Sequence, residues 1–258
     1  CANGLFYHPA RRYAPAPDQR GLEYEEVAFA ASDGVRLTGW WLPAEGKAKG
    51  TVLHFHGNAQ NMSTHVQFAE WLPAQGYHLF VFDYRGYGRS EGSPTRRGLV
   101  RDGIAALETV RQRPEFDADR FFVWGQSLGA TVALQAMLRS DVPVKAAIID
   151  SAFSSHGRIA AEKMRQIPWF LQPLRLLRPL FISGGFDADQ ALGLLPVDLP
   201  LLFLHGEEDP VIPPSHSQHL HQLRPENSQI RIIPEAGHCD AVLRFPEQIR
   251  PGLLEFLE

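Results

Sequence analysis

A serine with glycines two residues away on either side, Gly125-Gln126-Ser127-Leu128-Gly129, is the part of this chain best suited to nucleophilic chemistry. A serine hydroxyl is a weak nucleophile until a neighbouring base takes its proton. Imidazole does this near neutral pH, and a carboxylate must hold the ring in the useful tautomer. His238, in Glu235-Ala236-Gly237-His238-Cys239-Asp240, is the candidate base, and Asp209, closing His205-Gly206-Glu207-Glu208-Asp209 ahead of Pro210, is the candidate acid. Together the three would support acyl transfer through a covalent intermediate on Ser127 Oγ. The oxyanion formed on the way needs two N–H donors already in place. Leu128, directly after the nucleophile, supplies one; Asn58 in His56-Gly57-Asn58-Ala59 supplies the other, with Ala59 close behind. Only main-chain groups act in that role, so replacing the Asn58 side chain is expected to be mild.

The other titratable residues fit these roles less well. His54 and His56 end a strand, where imidazole commonly fixes loops by hydrogen bonding. His216 and His219 are three residues apart on a helix and could in principle form a metal face, but no cysteine or carboxylate completes such a site, so a solvated helix surface is expected and no metal. His8, His65, His78, His156 and His205 have no special context, and His205 reads as structural. Asp150 is the main rival to Asp209, and Asp83 reads as structural. Glu207 and Glu208 are neighbours of Asp209, but an Asp before Pro in that turn is better placed to point inward.

These residues need a scaffold of strand ends. Phe121-Phe122-Val123-Trp124 reads as a buried strand, and the spacing of Ala130, Val132, Ala133, Ala136, Met137 and Leu138 as a helix, so Ser127 falls in the tight turn between them. Upstream, Tyr24–Phe29 and Val35–Leu42 flank the turn Ser32-Asp33-Gly34 as a hairpin. Strands are expected at Thr51–His56, His78–Phe82, Val144–Ile149, Leu201–Leu204 and Gln229–Ile233. Helices are expected over about 63–75, 98–113, 215–223 and 245–257. This alternation specifies a mostly parallel, eight-stranded sheet with helices on both faces, with reactive groups where strands end and helices begin. From Ile159 to Leu195 the rhythm breaks into an apolar, Pro-interrupted stretch. It reads as short helices covering a cleft, a lid insert at about 153–197, with Trp169, Phe170 and Phe153 as candidate substrate contacts.

Composition bounds the rest. The chain has 258 residues, 44% hydrophobic and 21% charged with net charge -4, which suits one large α/β domain and gives no reason to expect nucleic acid. No segment reaches the ~20 consecutive apolar residues of a membrane helix. The sequence starts at Cys1, as in a bacterial lipoprotein cleaved just before a lipid-bearing cysteine, or as in a trimmed chain. The Pro-rich, basic stretch to residue 22 would then act as a tether at an anionic membrane of the cell envelope, ahead of a domain spanning 23–258; the alternative is a cytoplasmic protein. With Cys1 lipidated, Cys239 has no disulfide partner.

His56-Gly57-Asn58-Ala59, Asp83-Tyr84-Arg85-Gly86-Tyr87-Gly88-Arg89-Ser90, Gly125-Gln126-Ser127-Leu128-Gly129, His205-Gly206-Glu207-Glu208-Asp209 and Gly237-His238 resemble, in order and spacing, the motifs of the α/β-hydrolase superfamily. The first two resemble the ABHD/Bem46-like serine hydrolases, a group that includes protein depalmitoylases and many bacterial lipoprotein hydrolases. The resemblance covers about 23–257 and implies the triad Ser127, Asp209 and His238. Serine at the nucleophile position sets the chain apart from the aspartate-using dehalogenase and epoxide hydrolase branches. Gly86, Gly88 and Gly92 do not make a dinucleotide fingerprint, and no cofactor is expected. The expected activity is hydrolysis of carboxylic esters with a hydrophobic acyl group. Thioester hydrolysis, including protein depalmitoylation, comes next. Aminopeptidase activity ranks lower, because no acidic pair for a substrate amine stands out in a lid rich in Arg and Lys. A non-catalytic binding protein ranks last.

Overall fold

Alternation along each strand explains why the apolar runs fold into a sheet buried on both faces. In Phe121–Gln126, Phe121 and Val123 enter one core cluster while Phe122 and Trp124 enter another; Ala147 and Ile149 divide from Ala146 and Ile148 in the same way, as do Leu201 and Phe203 from Leu202 and Leu204. The computed structural model describes residues 6–165 and 185–258. Cys1, Trp169 and Phe170 lie outside the described residues.

Among the described residues the sheet has eight strands: β1 (Glu25–Ala30), β2 (Arg36–Leu42), β3 (Gly50–Phe55), β4 (Tyr77–Asp83), β5 (Phe121–Gln126), β6 (Ala146–Asp150), β7 (Leu201–Gly206) and β8 (Ser228–Ile233). Their spatial order is β8-β7-β6-β5-β3-β4-β2-β1. β2 pairs antiparallel with both neighbours, so it alone runs against the rest. The hairpin β1–β2 turns at Gly34, whose φ of 81 is in the left-handed region that glycine tolerates. Strand order reverses beside β3 and β5, and the two loops that leave their carboxyl ends face each other there.

Among the described residues there are eight α-helices: α1 (Met62–His65), α2 (Arg96–Arg111), α3 (Leu128–Met137), α4 (His156–Arg165), α5 (Ala188–Leu192), α6 (Ser215–Gln222), α7 (Ala241–Arg244) and α8 (Pro246–Leu257). Residues of α2, α3, α5 and α6 fill the core on one face of the sheet, and those of α1, α7 and α8 fill the other. Thr95 caps α2 by accepting the Gly98 N–H at 3.0 Å, so the helix begins two residues earlier than its apolar pattern suggests. The helix expected over 63–75 is a single turn, α1, followed by 3-10 turns at Val66–Phe68 and Pro73–Gln75. Pro73 has no N–H to continue an α-helical ladder, and the chain closes with i→i−3 bonds such as Leu72 N–H to Ala69 O. Within the insert, α4 and α5 agree with short helices; residues 166–184 lie outside the described residues.

Residues 6–22 depart from expectation. They are not a tether leading away from a domain that starts at 23 but are folded onto it. Tyr7 is buried, His8–Pro9 pairs in parallel with Ala59–Gln60, and the Tyr13 hydroxyl donates to Asp83 Oδ2 at 2.6 Å. The basic side chains that suggested attraction to a membrane are partly spent internally, since Arg20 bonds Glu70 and the Ser63 carbonyl. No helix among the described residues is long and apolar enough to cross a membrane.

Candidate active site

The strand-to-helix reversal between β5 and α3 forces Ser127 into φ 53, ψ -117, a conformation that L residues rarely adopt. The flanking glycines make the reversal possible. A Cβ on Gly125 would lie 2.5 Å from Ala130 Cα, and one on Gly129 would lie 2.1 Å from the Phe55 carbonyl oxygen and 2.4 Å from that of His56. Gly129 therefore lets the first turn of α3 press against the end of β3, which brings the His56–Ala59 loop beside Ser127. Ser127 N–H donates to the Asp150 carbonyl at 2.8 Å, tying the elbow to β6.

The base comes from the loop after β8. His238 Nε2 lies 3.0 Å from Ser127 Oγ, and His238 Nδ1 lies 2.6 Å from Asp209 Oδ2. The short contact to a carboxylate places a proton on Nδ1 and leaves the Nε2 lone pair facing the serine hydroxyl. Asp209 has a fully buried carboxylate, while His238 keeps 22% of its side chain exposed, open to a substrate from the solvent side. Burial alone would raise the Asp209 pKa. Hydrogen bonds with His205 and His238, and the Ile212 N–H, outweigh it and hold the carboxyl well below its ordinary range. Oδ1 accepts the Val211 and Ile212 N–H groups at 2.7 and 2.9 Å, so Asp209 stays ionised and fixed.

His205 is structural, as expected, but it works next to the site. Its Nε2 lies 2.8 Å from the Ile212 carbonyl and 3.2 Å from Asp209 Oδ2, and its Nδ1 lies 2.7 Å from Ser217 Oγ. The rival acid, Asp150, is not a partner of His238. Its carboxylate accepts Gln126 Nε2 at 3.0 Å and the Ser151 hydroxyl at 3.1 Å. The chain of contacts continues both ways, from His54 Nε2 to Gln126 Oε1 at 3.0 Å and from the Cys239 N–H to Ser151 Oγ at 3.2 Å. A buried polar line thus runs beneath the site, from β3 through the residue before Ser127 to the residue after His238. Burial raises the Asp150 pKa against those hydrogen bonds, and burial lowers His54 to about 3, so the ring is neutral. Nothing in the sequence announced this line except the position of each member at a strand end.

The two expected oxyanion donors lie on elements that pack together. Leu128 opens α3, and Asn58 lies on the loop that Gly129 admits against that helix. Among the described residues no acceptor engages either N–H. The Asp83–Ser90 motif supports this loop. Tyr84 Oη donates to the His56 carbonyl at 3.0 Å and Tyr87 Oη to Asn58 Oδ1 at 2.8 Å. Asp83 is structural, as expected, accepting the Met62 N–H at 2.7 Å; a Cβ on Gly88 would collide with its Oδ2 at 1.9 Å. Arg85 is clamped between Asp102 and Asp33.

Two expectations change. His216 does not face solvent: it is fully buried, with Nε2 2.8 Å from Glu162 Oε2 of α4 and Nδ1 accepting the Ser154 N–H at 3.0 Å. It pins the insert to α6. Phe153 is 5% exposed and packs edge-on against His156, so it belongs to the core beneath the insert's first helix. Trp169 and Phe170, the other candidate substrate contacts, lie outside the described residues. No group of His, Cys, Asp and Glu that could hold a metal occurs among the described residues.

The chain is similar to known proteins. Residues 46–185 match the family model described as serine aminopeptidase, S33. The protein YfhR of Escherichia coli is 34% identical over 263 residues, spanning 99% of this chain and 87% of YfhR. The α/β-hydrolase domain-containing protein WAV2 of Arabidopsis thaliana is 30% identical, spanning 96% of this chain and 83% of WAV2. Among solved structures, the Pyrococcus furiosus esterase Pf2001 superposes with a TM-score of 0.77 over 97% of both chains at 23% identity, a likeness of fold. The strained serine at the strand-to-helix turn, the reversed strand order and relatives that match along nearly all of this chain agree: the chain is a hydrolase of the α/β-hydrolase fold and belongs to the serine aminopeptidase S33 family.

Proposed function

We propose that the protein is a serine esterase that forms an acyl-enzyme on Ser127, with His238 as base and Asp209 as its orienting acid. The observation that carries this reading is the continuous contact from Ser127 Oγ through His238 to the buried Asp209 carboxylate. In the first half-reaction His238 Nε2 takes the Ser127 proton as Oγ attacks the acyl carbonyl carbon. The Leu128 and Asn58 N–H groups hold the tetrahedral oxyanion, and Asp209 stabilises the imidazolium. Collapse breaks the bond to the leaving alkoxide, which takes the proton from His238. Water then repeats the sequence on the acyl-enzyme, releasing a carboxylic acid and returning the proton to Ser127.

The apolar insert from Trp169 to Ile182 supports a hydrophobic acyl group. Thioester hydrolysis, as in depalmitoylation, uses the same machinery and is the second reading. Aminopeptidase activity, which the family's description raises, needs an anionic group for the substrate amine. Glu162, on the described helix of the insert, is already paired with His216 and Arg158.

The test is hydrolysis of p-nitrophenyl esters across acyl lengths, beside an acyl thioester and an aminoacyl p-nitroanilide, with Ser127→Ala as control. Ester turnover that rises with acyl length and vanishes in Ser127→Ala is expected, together with fluorophosphonate labelling of Ser127. Turnover confined to the anilide would move the assignment to a peptidase. Activity or labelling that persists in Ser127→Ala would overturn the nucleophile.

A further inference from the structure

The least expected feature near the site is the N-terminal segment. We infer that residues 6–13 are a strap that sets the oxyanion loop, and that the Asn58 side chain, not only its backbone, is the positioning group through which it acts. This rests on the proposed role of the Asn58 N–H as an oxyanion donor.

Every polar atom of the Asn58 carboxamide is used to fix the loop. Nδ2 donates to the Phe6 carbonyl at 2.6 Å, while Oδ1 accepts the His8 N–H at 3.2 Å and the Tyr87 hydroxyl at 2.8 Å. The pattern is directional, since carbonyl oxygens only accept and N–H groups only donate. On the far side of Asn58, His8–Pro9 pairs in parallel with Ala59–Gln60, and Ala10 N–H donates to the Gln60 carbonyl at 2.9 Å. Gln60 is itself held at φ 65, a left-handed conformation that costs a non-glycine residue free energy and that these partners offset. The strap is anchored in turn. Asn61 Nδ2 donates to the Ala10 and Arg12 carbonyls at 3.0 and 2.9 Å, Gly88 N–H donates to the Ala10 carbonyl at 2.9 Å, and Tyr13 reaches Asp83. Buried Tyr7 and the Phe6 ring, with the Arg96 guanidinium 5.7 Å from the ring centroid, hold its first residues down.

An N–H in a turn has little to hold its direction, because loop backbone is the softest part of a fold. Here two contacts of the Asn58 carboxamide with the strap and one with Tyr87 fix the residue that carries that N–H. The expectation that changing the Asn58 side chain is mild is therefore reversed. An oxyanion donor that wanders stabilises the transition state less and leaves ground-state binding almost unchanged.

The test compares Asn58→Ala, Asn58→Asp and His8→Pro with the unaltered chain and with Ser127→Ala, using p-nitrophenyl butyrate and an alkyl boronic acid as tetrahedral mimic. His8 is exposed, and proline there removes the N–H that reaches Asn58 Oδ1. Asn58→Ala should lower kcat ~10-fold or more with KM within about threefold, and weaken boronate inhibition by a matching factor. Asn58→Asp, which sets a carboxylate oxygen against the Phe6 carbonyl, should lose more, and His8→Pro should lose less in the same direction. Folded variants with kcat within about threefold of the unaltered chain overturn the inference, as does a fall in activity carried by KM alone. If Asn58→Ala fails to fold, His8→Pro decides. Full activity in Ser127→Ala would instead remove the underlying esterase reading, so the two failures are distinct.

Discussion

Gly206 is the position where a single methyl group tests the geometry of the acid and base most directly. It ends β7, three residues before Asp209, and the loop that carries His238 crosses directly over it. A Cβ built on Gly206 lies 2.2 Å from the Gly237 carbonyl oxygen and 2.3 Å from that of Ala236, whereas ordinary contact begins near 3.4 Å. Both obstacles are backbone, so no side chain can swing aside, and the loop and strand must separate by about 1 Å. The Glu208 N–H bond to the Ala236 carbonyl, now 3.0 Å, lies on the path of that movement. The 2.6 Å contact between His238 Nδ1 and Asp209 Oδ2 would stretch past hydrogen-bonding distance. A misplacement of ~1 Å in a catalytic group costs on the order of a hundredfold, and complete loss of the acid's function about ten-thousandfold. Gly206→Ala should therefore fall between these limits, with kcat for p-nitrophenyl butyrate down ~100-fold or more and KM little changed. Overpacking should also cost ~1–3 kcal/mol of stability, read as a lowered Tm. Fluorophosphonate labelling should slow in parallel, because Ser127 is activated through the same ring. A folded Gly206→Ala protein with kcat within about threefold of the parent would refute the reasoning.

Three further outcomes follow from the same contacts. Asp209→Asn keeps the shape but offers His238 the wrong tautomer, so kcat should fall about ten-thousandfold with the fold intact by circular dichroism; a loss under about tenfold would move the acid elsewhere. Burial lowers His54 and His65 to about 3, against 6.5 when exposed, so the unfolded chain takes up protons first as pH falls. Stability should be constant above pH ~6.5 and drop between pH 6.5 and 3 by up to ~1.4 kcal/mol per pH unit for each ring; His54→Gln should flatten urea-derived ΔG against pH by one ring's share, and an unchanged slope would contradict the assignment. Burial also pushes the Cys239 thiol well above its ordinary pKa, so peptide mapping after brief iodoacetamide treatment at pH 8 should find it unmodified in the folded protein and alkylated in urea.

How much of this could be read from the chain depends on the range of the interaction concerned. Ser127, Asp209 and His238 were legible because each sits at a strand end with a local signature: glycines that permit a sharp turn, or an Asp ahead of Pro. The sheet was legible because Phe121–Trp124 and its counterparts are buried on both faces, and such runs are apolar without a break. Local reasoning failed where a long-range partner decides the outcome. His216 lies on a polar helix, Ser215–Gln222, that reads as solvated, yet Glu162 and Ser154, more than fifty residues away, bury it. Gln126 and Asp150 are each a polar residue at the end of an apolar strand; only parallel pairing in register, Gln126 opposite Asp150, makes them partners.

The N-terminal segment shows the same limit from the other side. Its prolines and arginines have the composition of a linker, because a strap that bonds through its backbone needs few apolar side chains of its own. Its carbonyls and N–H groups are instead satisfied by Asn58, Asn61 and Gly88, residues whose own motifs pointed to the site and not to residues 6–13. Composition reports what a segment can bury, whereas backbone hydrogen bonds to polar side chains elsewhere leave no trace in the segment that makes them. A stretch that looks like a tether can therefore brace a loop of the site, wherever the polar residues facing it have carboxamides to spare.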